Sequence, residues 1–329
     1  MHNFVIFGIT NEFYRHSFAD LKGLDHVQLR EDIYENSNKF IYYLYRLHTF
    51  PKVKLRWPFT STWDKRSYHN KFDNDNEMCF IFMPKHANRK SYFTYLHKNY
   101  PNCKLVMMFR DRVDRNLSWF PNLKIEDLKN EFDLIYSYNK YDCEKYGFLY
   151  FNTEASKENL IAKPKAEWSD VVFIGNVKDR LEKIVNAYRK FQNAGLKTDF
   201  YIVGVPKEKR FNGEGIVFAD KGISYAEMLN RTINSKCVFE VSQSGEYGFT
   251  SRSQEAIMYN KKLITDSLII KEQRFFPSKH ISFYESIDDI DPEFIKDNET
   301  PDHGYCDDYS PIRVIEQIEA DLFSTIENT

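Results

Sequence analysis

Short apolar runs alternate with polar, helix-like segments along most of this 329-residue chain. The runs are only four or five residues long, which suits buried strands better than helices, and several of them end at a glycine. Strands that alternate with helices in this way are typical of a parallel α/β sheet. The clearest runs are Phe4–Phe7, Cys79–Met83, Leu105–Phe109, Val171–Ile174, Phe200–Val203 and Cys237–Val241.

The alternation occurs twice, on either side of a polar stretch that contains Pro164. Because a single hydrophobic core stops growing at about 250–300 residues, a chain of this length favours two domains. We therefore predict an N-terminal domain over 1–155, a linker over 156–169 and a C-terminal domain over 170–310. Pro311 opens an amphipathic segment, and we expect this last helix, 311–329, to pack back toward the N-terminal domain.

Composition excludes several classes of protein. With 42% apolar and 29% charged residues, the chain is neither disordered nor fibrous. No stretch reaches the roughly 18–20 apolar residues that a membrane span needs, and the first residues lack the pattern of a signal peptide. Five scattered cysteines without a CxxC spacing predict neither a disulfide framework nor a structural zinc site. We expect a cytoplasmic protein.

Charge is distributed unevenly between the two halves. Residues 1–150 carry 23 Lys and Arg against 18 Asp and Glu, whereas the remaining residues carry 23 against 30. A basic N-terminal half suits an anionic membrane surface, a phosphate-bearing substrate or nucleic acid. A chance difference between two surfaces explains the same numbers, so both interpretations stay open.

Several common enzyme classes lack their motif here. The chain has no GxGxxG after a strand, no GxxxxGK[ST] and no GxSxG, which argues against dinucleotide-binding dehydrogenases, P-loop nucleotidases and α/β-hydrolases. Two DxD pairs, Asp73–Asp75 and Asp289–Asp291, could in principle hold a metal–nucleotide complex. Neither follows an apolar strand closely, and we interpret both as solvated charge.

The segment after the strand at 237–241 bears most directly on function. A glycine-containing loop leads to a hydroxyl-rich helix start at Thr250 and Ser251, followed by Arg252 and Glu255. The free N–H groups of a helix start favour a diphosphate, and a guanidinium in the first turn adds a bidentate contact. Arg252 and Glu255 are three residues apart and share a helical face, where a carboxylate suits the vicinal hydroxyls of a ribose.

A second segment, after the run Val171–Ile174, has matching properties. Gly175 lets the backbone approach a ligand closely, and Asn176 follows it. Lys178 and Arg180 come next and are available to a departing phosphate.

These segments resemble the sugar-nucleotide site of GT-B glycosyltransferases, particularly those of bacterial capsule, lipopolysaccharide and exopolysaccharide synthesis. The resemblance covers about residues 170–315 and includes Tyr225, in a stretch similar to the base-binding region of that family. It implies an α/β fold of two Rossmann-like domains that face each other across a cleft. The donor-binding residues that it implies are Gly175, Asn176, Lys178, Arg180, Tyr225, Thr250, Ser251, Arg252 and Glu255.

The resemblance departs from one pattern of the family. Retaining GT-B enzymes carry two glutamates separated by seven residues, whereas Glu246 and Glu255 are separated by eight. The stereochemical outcome therefore stays open.

A catalytic base is less clearly marked. An inverting transfer needs a carboxylate or histidine near the acceptor hydroxyl, and loops at the carboxyl ends of strands are its expected place. Candidates are Glu12 and His16, after the first strand, and Asp111, after Leu105–Phe109. Basic residues near the same edge suit either an acceptor lipid phosphate or an ordinary solvated face; they are Lys85, Arg89, Lys90, Arg110 and Arg112.

From the resemblance we expect a glycosyltransferase of the hexosyltransferase class, EC 2.4, that needs neither a metal nor another cofactor. It would move a sugar from a nucleotide-sugar donor, with UDP favoured, to a growing bacterial surface polysaccharide or a lipid-linked oligosaccharide. We expect peripheral attachment at the inner face of the cytoplasmic membrane and no nucleic-acid partner. Two alternatives are a sugar-nucleotide epimerase of GT-B fold and a catalytically silent GT-B subunit of a glycosyltransferase complex.

Overall fold

The computed structural model describes residues 1–35, 38–49, 63, 71–72, 74, 76–120, 123–158 and 168–327. The chain divides into two compact units. Unit 1 consists of Met1–Ser156 together with Ser310–Thr329, and unit 2 consists of Lys157–Tyr309. Most of the predicted linker, 156–169, lies outside the described residues, as do both carboxylates of the Asp73–Asp75 pair.

Unit 1 is built on a parallel sheet of six strands in the order β2-β1-β3-β4-β5-β6. The strands are β1 Asn3–Phe7, β2 Val27–Arg30, β3 Met78–Phe82, β4 Lys104–Phe109, β5 Leu134–Ser137 and β6 Leu149–Tyr150. The α-helices that the structure describes in this unit are α1 Glu12–Ser17, α2 Lys39–His48, α3 Lys90–Asn99, α4 Val113–Leu117, α5 Ile125–Glu131, α6 Lys140–Tyr146 and α11 Pro311–Glu327.

The central strands of unit 1 are apolar on both faces. Every residue of β1 and β3 is buried, and alternate side chains enter two different cores. Val5 and Phe7 belong to one core, whereas Phe4 and Ile6 belong to the other. Helix α11 contributes Ile315, Ile318 and Leu322 to the second core and therefore covers that face of the sheet.

Unit 2 is also a parallel sheet of six strands, in the order β12-β11-β10-β7-β8-β9. The strands are β7 Ser169–Asn176, β8 Thr198–Val203, β9 Ile216–Ala219, β10 Ser235–Phe239, β11 Lys262–Thr265 and β12 Ile281–Phe283. The α-helices described in this unit are α7 Leu181–Asn193, α8 Tyr225–Ile233, α9 Ser251–Met258 and α10 Glu293–Lys296.

In each unit, the chain adds strands on one side of the first strand and then continues on its other side. We call the place between these two sides the reversal point. In unit 1 the chain first builds β2 beside β1 and then places β3 on the other side of β1. In unit 2 it builds β8 and β9 on one side of β7 and then places β10 on the other. Ligands of open α/β sheets bind outside the carboxyl ends of the strands at such points. The predicted α/β fold class with two Rossmann-like domains is confirmed.

Within the described residues, no helix combines the length and the apolar character that crossing a membrane would require.

Candidate functional site

The reversal point of unit 2 brings together the two segments that the sequence singles out. At the carboxyl end of β7, the main-chain oxygen of Ile174 accepts a hydrogen bond from Nε of Arg252, at 3.1 Å. Asp179, after β7, accepts a hydrogen bond from the Ser244 main-chain N–H in the loop after β10, at 3.1 Å. The β7–α7 loop and the β10–α9 loop therefore form one site.

The β7–α7 loop is shaped by Lys178 and Arg180. Lys178 has a φ of +44°, in the left-handed region, and α7 begins only at Leu181 rather than near Lys178. The Arg180 guanidinium donates to the main-chain oxygens of Val241 and, at 3.0 Å, Asn176. Arg180 thus ties the two loops together in this structure, while Lys178 and Asn176 are exposed.

Gly175 lies against this guanidinium. A Cβ at position 175 would stand 3.4 Å from Nη2 of Arg180, at the short limit of ordinary van der Waals contact. A side chain at this position would therefore lie directly against the guanidinium.

Helix α9 starts with the predicted hydroxyl groups. Thr250 is the N-cap, and its Oγ1 accepts a hydrogen bond from the Arg252 N–H at 3.2 Å. The same hydroxyl donates to Glu240, which lies directly after β10 and is buried. Glu240 also accepts from the Ser253 hydroxyl at 2.5 Å and from the Thr265 hydroxyl at 2.6 Å. One buried carboxylate thus fixes the N-terminus of α9 against β10 and β11.

The ionisation of Glu240 reflects two opposing effects. Burial raises the pKa of the Glu240 carboxyl, and the three hydroxyl donors oppose that rise. Because the carboxylate form accepts all three hydrogen bonds, these donors favour the charged state.

Arg252 and Glu255 form an ion pair on one face of α9. Nη1 of Arg252 lies 2.5 Å from Oε2 of Glu255, and another nitrogen of the same guanidinium donates to the sulfur of Met228. Glu255 is only 1% exposed, and burial raises the pKa of its carboxyl while Arg252 and the Tyr225 hydroxyl oppose that rise. Glu255 therefore orients the Arg252 guanidinium, and Tyr225 lies beside both.

In the loop before α9, two main-chain N–H groups donate hydrogen bonds to carboxylates. Asp266, after β11, accepts from the Ser242 N–H at 2.6 Å and lies 3.3 Å from Nζ of Lys183. Asp179 holds the Ser244 N–H in the same way. Apart from the Arg252 N–H, which Thr250 caps, the first-turn N–H groups of α9 have no acceptor within the helix, and helix starts of this kind bind anions.

The candidate bases lie in unit 1 and fall into two groups. Glu12 and His16 are on α1, with 3.8 Å between Oε1 of Glu12 and Nε2 of His16. Burial lowers the pKa of His16, and the neighbouring Glu12 opposes that shift. Asp111 is engaged separately, in an ion pair with Arg115 at 3.0 Å and a hydrogen bond from the Arg112 N–H at 2.9 Å.

The basic residues near the same edge have different environments. Arg110 is buried in an ion pair with Glu154, with 2.8 Å between the charged atoms, and its guanidinium lies over the Tyr14 ring. This burial removes Arg110 from the cations that a lipid surface could contact. Arg112 pairs with Asp114 at 2.6 Å, while Lys85 and Arg89 line a cavity in unit 1.

Three residues that organise the candidate site were not predicted from the sequence: Glu240, Asp179 and Asp266. The signal for Glu240 was an acidic residue inside the apolar run 237–241, since a carboxylate within a buried strand needs several hydrogen-bond donors. Asp179 and Asp266 each follow a strand at the sheet edge, but nothing in their spacing predicts which amides they hold.

In the part of the chain that the structure describes, no group of three or more His, Cys, Asp or Glu side chains could hold a metal ion. Of the DxD pairs, Asp289 accepts a hydrogen bond from the Ser286 N–H and Asp291 from the Glu293 N–H, so both serve local turns.

The architecture consists of two α/β units, each built on a parallel sheet. In unit 2, the loops at the point where the strand order reverses form a candidate ligand site. No protein-family model and no curated protein matches the chain. Solved structures with a similar course of the chain include an α-glucosyltransferase in complex with UDP-glucose and DNA containing an abasic site. It is 13% identical with a TM-score of 0.44, and the match covers 80% of this chain and 79% of that one.

Two further structures resemble the chain at comparable levels. One, from Listeria monocytogenes, is described as a UDP-N-acetylglucosamine 2-epimerase; it is 11% identical with a TM-score of 0.48, and the match covers 100% of this chain and 98% of that one. The other is the DNA-modifying β-glucosyltransferase, 10% identical with a TM-score of 0.42 over 89% and 87%. Because two of these structures are of proteins described with DNA, the comparisons give no support to the expected absence of a nucleic-acid partner. An activity for this chain has to be argued from its own residues.

Proposed function

We propose that this protein is a glycosyltransferase that binds a nucleoside diphosphate sugar, with UDP favoured, at the reversal point of unit 2. The observation that carries the proposal is the Arg252–Ile174 hydrogen bond, because it places a guanidinium from the start of α9 at the end of β7. A cation and a set of helix-start N–H groups then converge on one position, as a diphosphate requires.

Most of the predicted donor-binding residues have a role in this proposal. The first-turn amides of α9, Arg252 and the exposed Lys178 contact the diphosphate. Glu255, which holds the Arg252 guanidinium, contacts the ribose hydroxyls. Arg180 and Gly175 shape the loop, and Tyr225 lies near the base.

The reaction breaks the bond between the anomeric carbon and the diphosphate oxygen, and the acceptor hydroxyl oxygen forms a new bond to that carbon. The hydroxyl proton passes to a base, for which Glu12, His16 and Asp111 remain the candidates. Negative charge builds on the departing nucleoside diphosphate, and the cationic, hydrogen-bonding site stabilises it. We propose that this stabilisation makes a metal ion unnecessary.

The acceptor and the location are further parts of the proposal. The excess of basic residues in positions 1–150 supports an anionic acceptor or surface, and we propose a surface polysaccharide or lipid-linked oligosaccharide at the inner face of the membrane. Vesicles with and without anionic lipid test this part, since equal binding to both would contradict it.

The test of the donor site is nucleotide binding by the full chain. UDP, GDP, CDP, CMP and NAD are titrated by calorimetry into the wild type and into Arg252→Ala and Glu255→Ala. Arg189→Ala and Glu214→Ala are matched controls, because both residues are exposed in unit 2. We expect one nucleoside diphosphate to bind, with at least tenfold weaker affinity in the two site variants and unchanged affinity in the controls.

Three outcomes would contradict the proposal. Binding of NAD alone would point to a different class of enzyme. A chain that binds none of the nucleotides would correspond to the silent subunit. Turnover of a UDP-sugar that does not depend on any acceptor would correspond to the epimerase.

A further inference from the structure

Unit 1 contains a cavity of about 330 Å³ that the proposed donor site does not use. Its walls come from the segments that follow β2, β3 and β4, which are represented by Asp32, Lys85 and Trp119, and from helix α2. The cavity therefore lies at the carboxyl edge of the sheet, beside the reversal point between β1 and β3, where α/β folds place ligands.

The lining is predominantly cationic. Arg46, Lys85 and Arg89 contribute three basic side chains, whereas Asp32 contributes one carboxylate. Nζ of Lys85 lies 3.5 Å from Oδ2 of Asp32, so that the carboxylate is compensated within the wall. Arg46 is exposed on the last turn of α2, where its guanidinium can contact a ligand in the cavity.

Asp32 organises one wall of the cavity. Oδ1 of Asp32 accepts a hydrogen bond from the Tyr45 hydroxyl at 3.0 Å and lies 3.2 Å from Nε2 of His86. Tyr45 in turn accepts from Nη1 of Arg89 at 3.0 Å. Although burial opposes it, the His86 hydrogen bond and the nearby Lys85 hold the pKa of Asp32 well below its usual range. The wall is therefore preorganised around an ionised carboxylate.

Within the described residues, His86 uses only one of its two ring nitrogens in a hydrogen bond. Its side chain is buried, and burial lowers the pKa of the imidazole to about 4, so the ring is neutral near pH 7. Since the ionised Asp32 requires a donor, Nε2 carries the proton and Nδ1 is an acceptor. Within the described residues, Nδ1 has no hydrogen-bond partner and is itself buried.

The opposite part of the lining is apolar and aromatic. Phe120 is buried, whereas the Trp119 indole is 51% exposed. An exposed indole beside a cavity offers a flat surface to the C–H face of a sugar or similar ring.

We propose that this cavity binds a phosphorylated sugar or polyol, whose phosphate contacts Arg46 and Lys85 while its hydroxyl groups contact the polar wall around Asp32. A ring of the same ligand packs on Trp119. Every residue of this site belongs to unit 1, so the proposal goes beyond the donor site and does not depend on it.

The experiment is calorimetric titration of the full chain with glucose 6-phosphate, glucose and inorganic phosphate. Arg46→Met and Trp119→Ala are the site variants, because both side chains are exposed and their loss should leave the fold intact. Lys98→Met is the matched control, an exposed cation on α3. Vesicles containing phosphatidylinositol 4-phosphate form a separate arm, which distinguishes a lipid headgroup from a soluble ligand.

We expect glucose 6-phosphate to bind at least tenfold more tightly than either glucose or inorganic phosphate. Arg46→Met and Trp119→Ala should each weaken that binding about tenfold, and Lys98→Met should not. Arg252→Ala should also leave it unchanged, which separates this site from the donor site. Vesicle binding that depends on Arg46 and Trp119 would support the same chemistry with a lipid as its source.

Three results would overturn the proposal. Equal affinity for glucose and glucose 6-phosphate would exclude the phosphate contact. Equal affinity for inorganic phosphate and glucose 6-phosphate would exclude the sugar contact. Failure of all probes to bind, or equal weakening by Lys98→Met, would exclude a specific site.

Discussion

Arg252 and Ile174 are joined by a hydrogen bond from the guanidinium Nε to the main-chain carbonyl oxygen, with 3.1 Å between the two atoms. The same guanidinium holds Glu255 through Nη1. A planar group with five N–H donors can make both contacts and still face a ligand, whereas a lysine ammonium cannot. The position of the cation at the end of β7 therefore depends on arginine and not on positive charge alone.

Replacing Arg252 by lysine tests this dependence. We expect Arg252→Lys to lower the affinity for the bound nucleoside diphosphate about tenfold or more, while the melting temperature changes little. Calorimetric titration measures the affinity. Arg189→Lys, on the exposed face of α7, should bind like the wild type. Full affinity in Arg252→Lys would mean that only the charge matters.

Glu240→Gln tests the buried carboxylate that fixes α9. A glutamine amide nitrogen cannot accept a hydrogen bond, so at least one of the three hydroxyl donors loses its partner. We expect the free energy of unfolding to fall by about 1–3 kcal/mol, or several degrees in the melting temperature. Scanning calorimetry detects this change. The exposed Glu214→Gln should melt with the wild type, and an unchanged transition in Glu240→Gln would contradict the role assigned to the carboxylate.

Gly8, directly after β1, lies at the reversal point of unit 1, and its replacement tests how tightly the loops pack there. Its φ is +114°, and a Cβ there would stand 2.6 Å from the Met83 side chain after β3. Because both the backbone conformation and the space exclude a side chain, Gly8→Ala should cost roughly 1–3 kcal/mol. Gly222→Ala is the control, since a Cβ at position 222 meets no atom within 4 Å. Thermal unfolding compares the two, and equal melting temperatures would show that the loops adjust freely.

The buried His86 predicts an acid sensitivity of unit 1. Burial lowers its pKa to about 4, so that the unfolded chain takes up a proton below about pH 6.5 while the folded chain does so only below about pH 4. Stability is therefore lost as the pH falls through this window, by an amount on the order of 3 kcal/mol. The groups that face His86 are Asp32, Lys85 and Arg89.

His86→Asn removes this proton uptake. We expect its melting temperature to fall less between pH 7 and pH 4.5 than that of the wild type, whatever its value at pH 7. The exposed His97→Asn provides the comparison and should follow the wild type. Parallel pH dependence in wild type and His86→Asn would mean that another group is responsible.

Sequence patterns predicted the interior of the fold better than its edges. Strands such as β1 and β3 are continuous apolar runs because both of their faces are buried, and such runs are visible without a structure. The edge strands β2 and β12 were not predicted, since β2 is only partly buried and β12 has three residues. The left-handed backbone at Lys178, before α7 begins at Leu181, leaves no signature in the residue type.

Part of the candidate site could also be predicted from the sequence. Thr250 and Arg252 act through neighbours within α9, and spacing along one helix predicts such contacts. The partners of Glu240 and Asp266 come from other strands, so only the folded sheet brings them together. The cavity around Asp32 was missed for the same reason, because its walls come from four separate segments.

Helix α11 gives the chain an unusual order of completion. Unit 1 starts at Met1, but its second core needs Ile315, Ile318 and Leu322, which lie beyond the whole of unit 2. During synthesis on a ribosome, residues 157–309 emerge before the helix that covers the earlier sheet. The unit that begins first is therefore finished last, and until then one apolar face of its sheet stays without its cover.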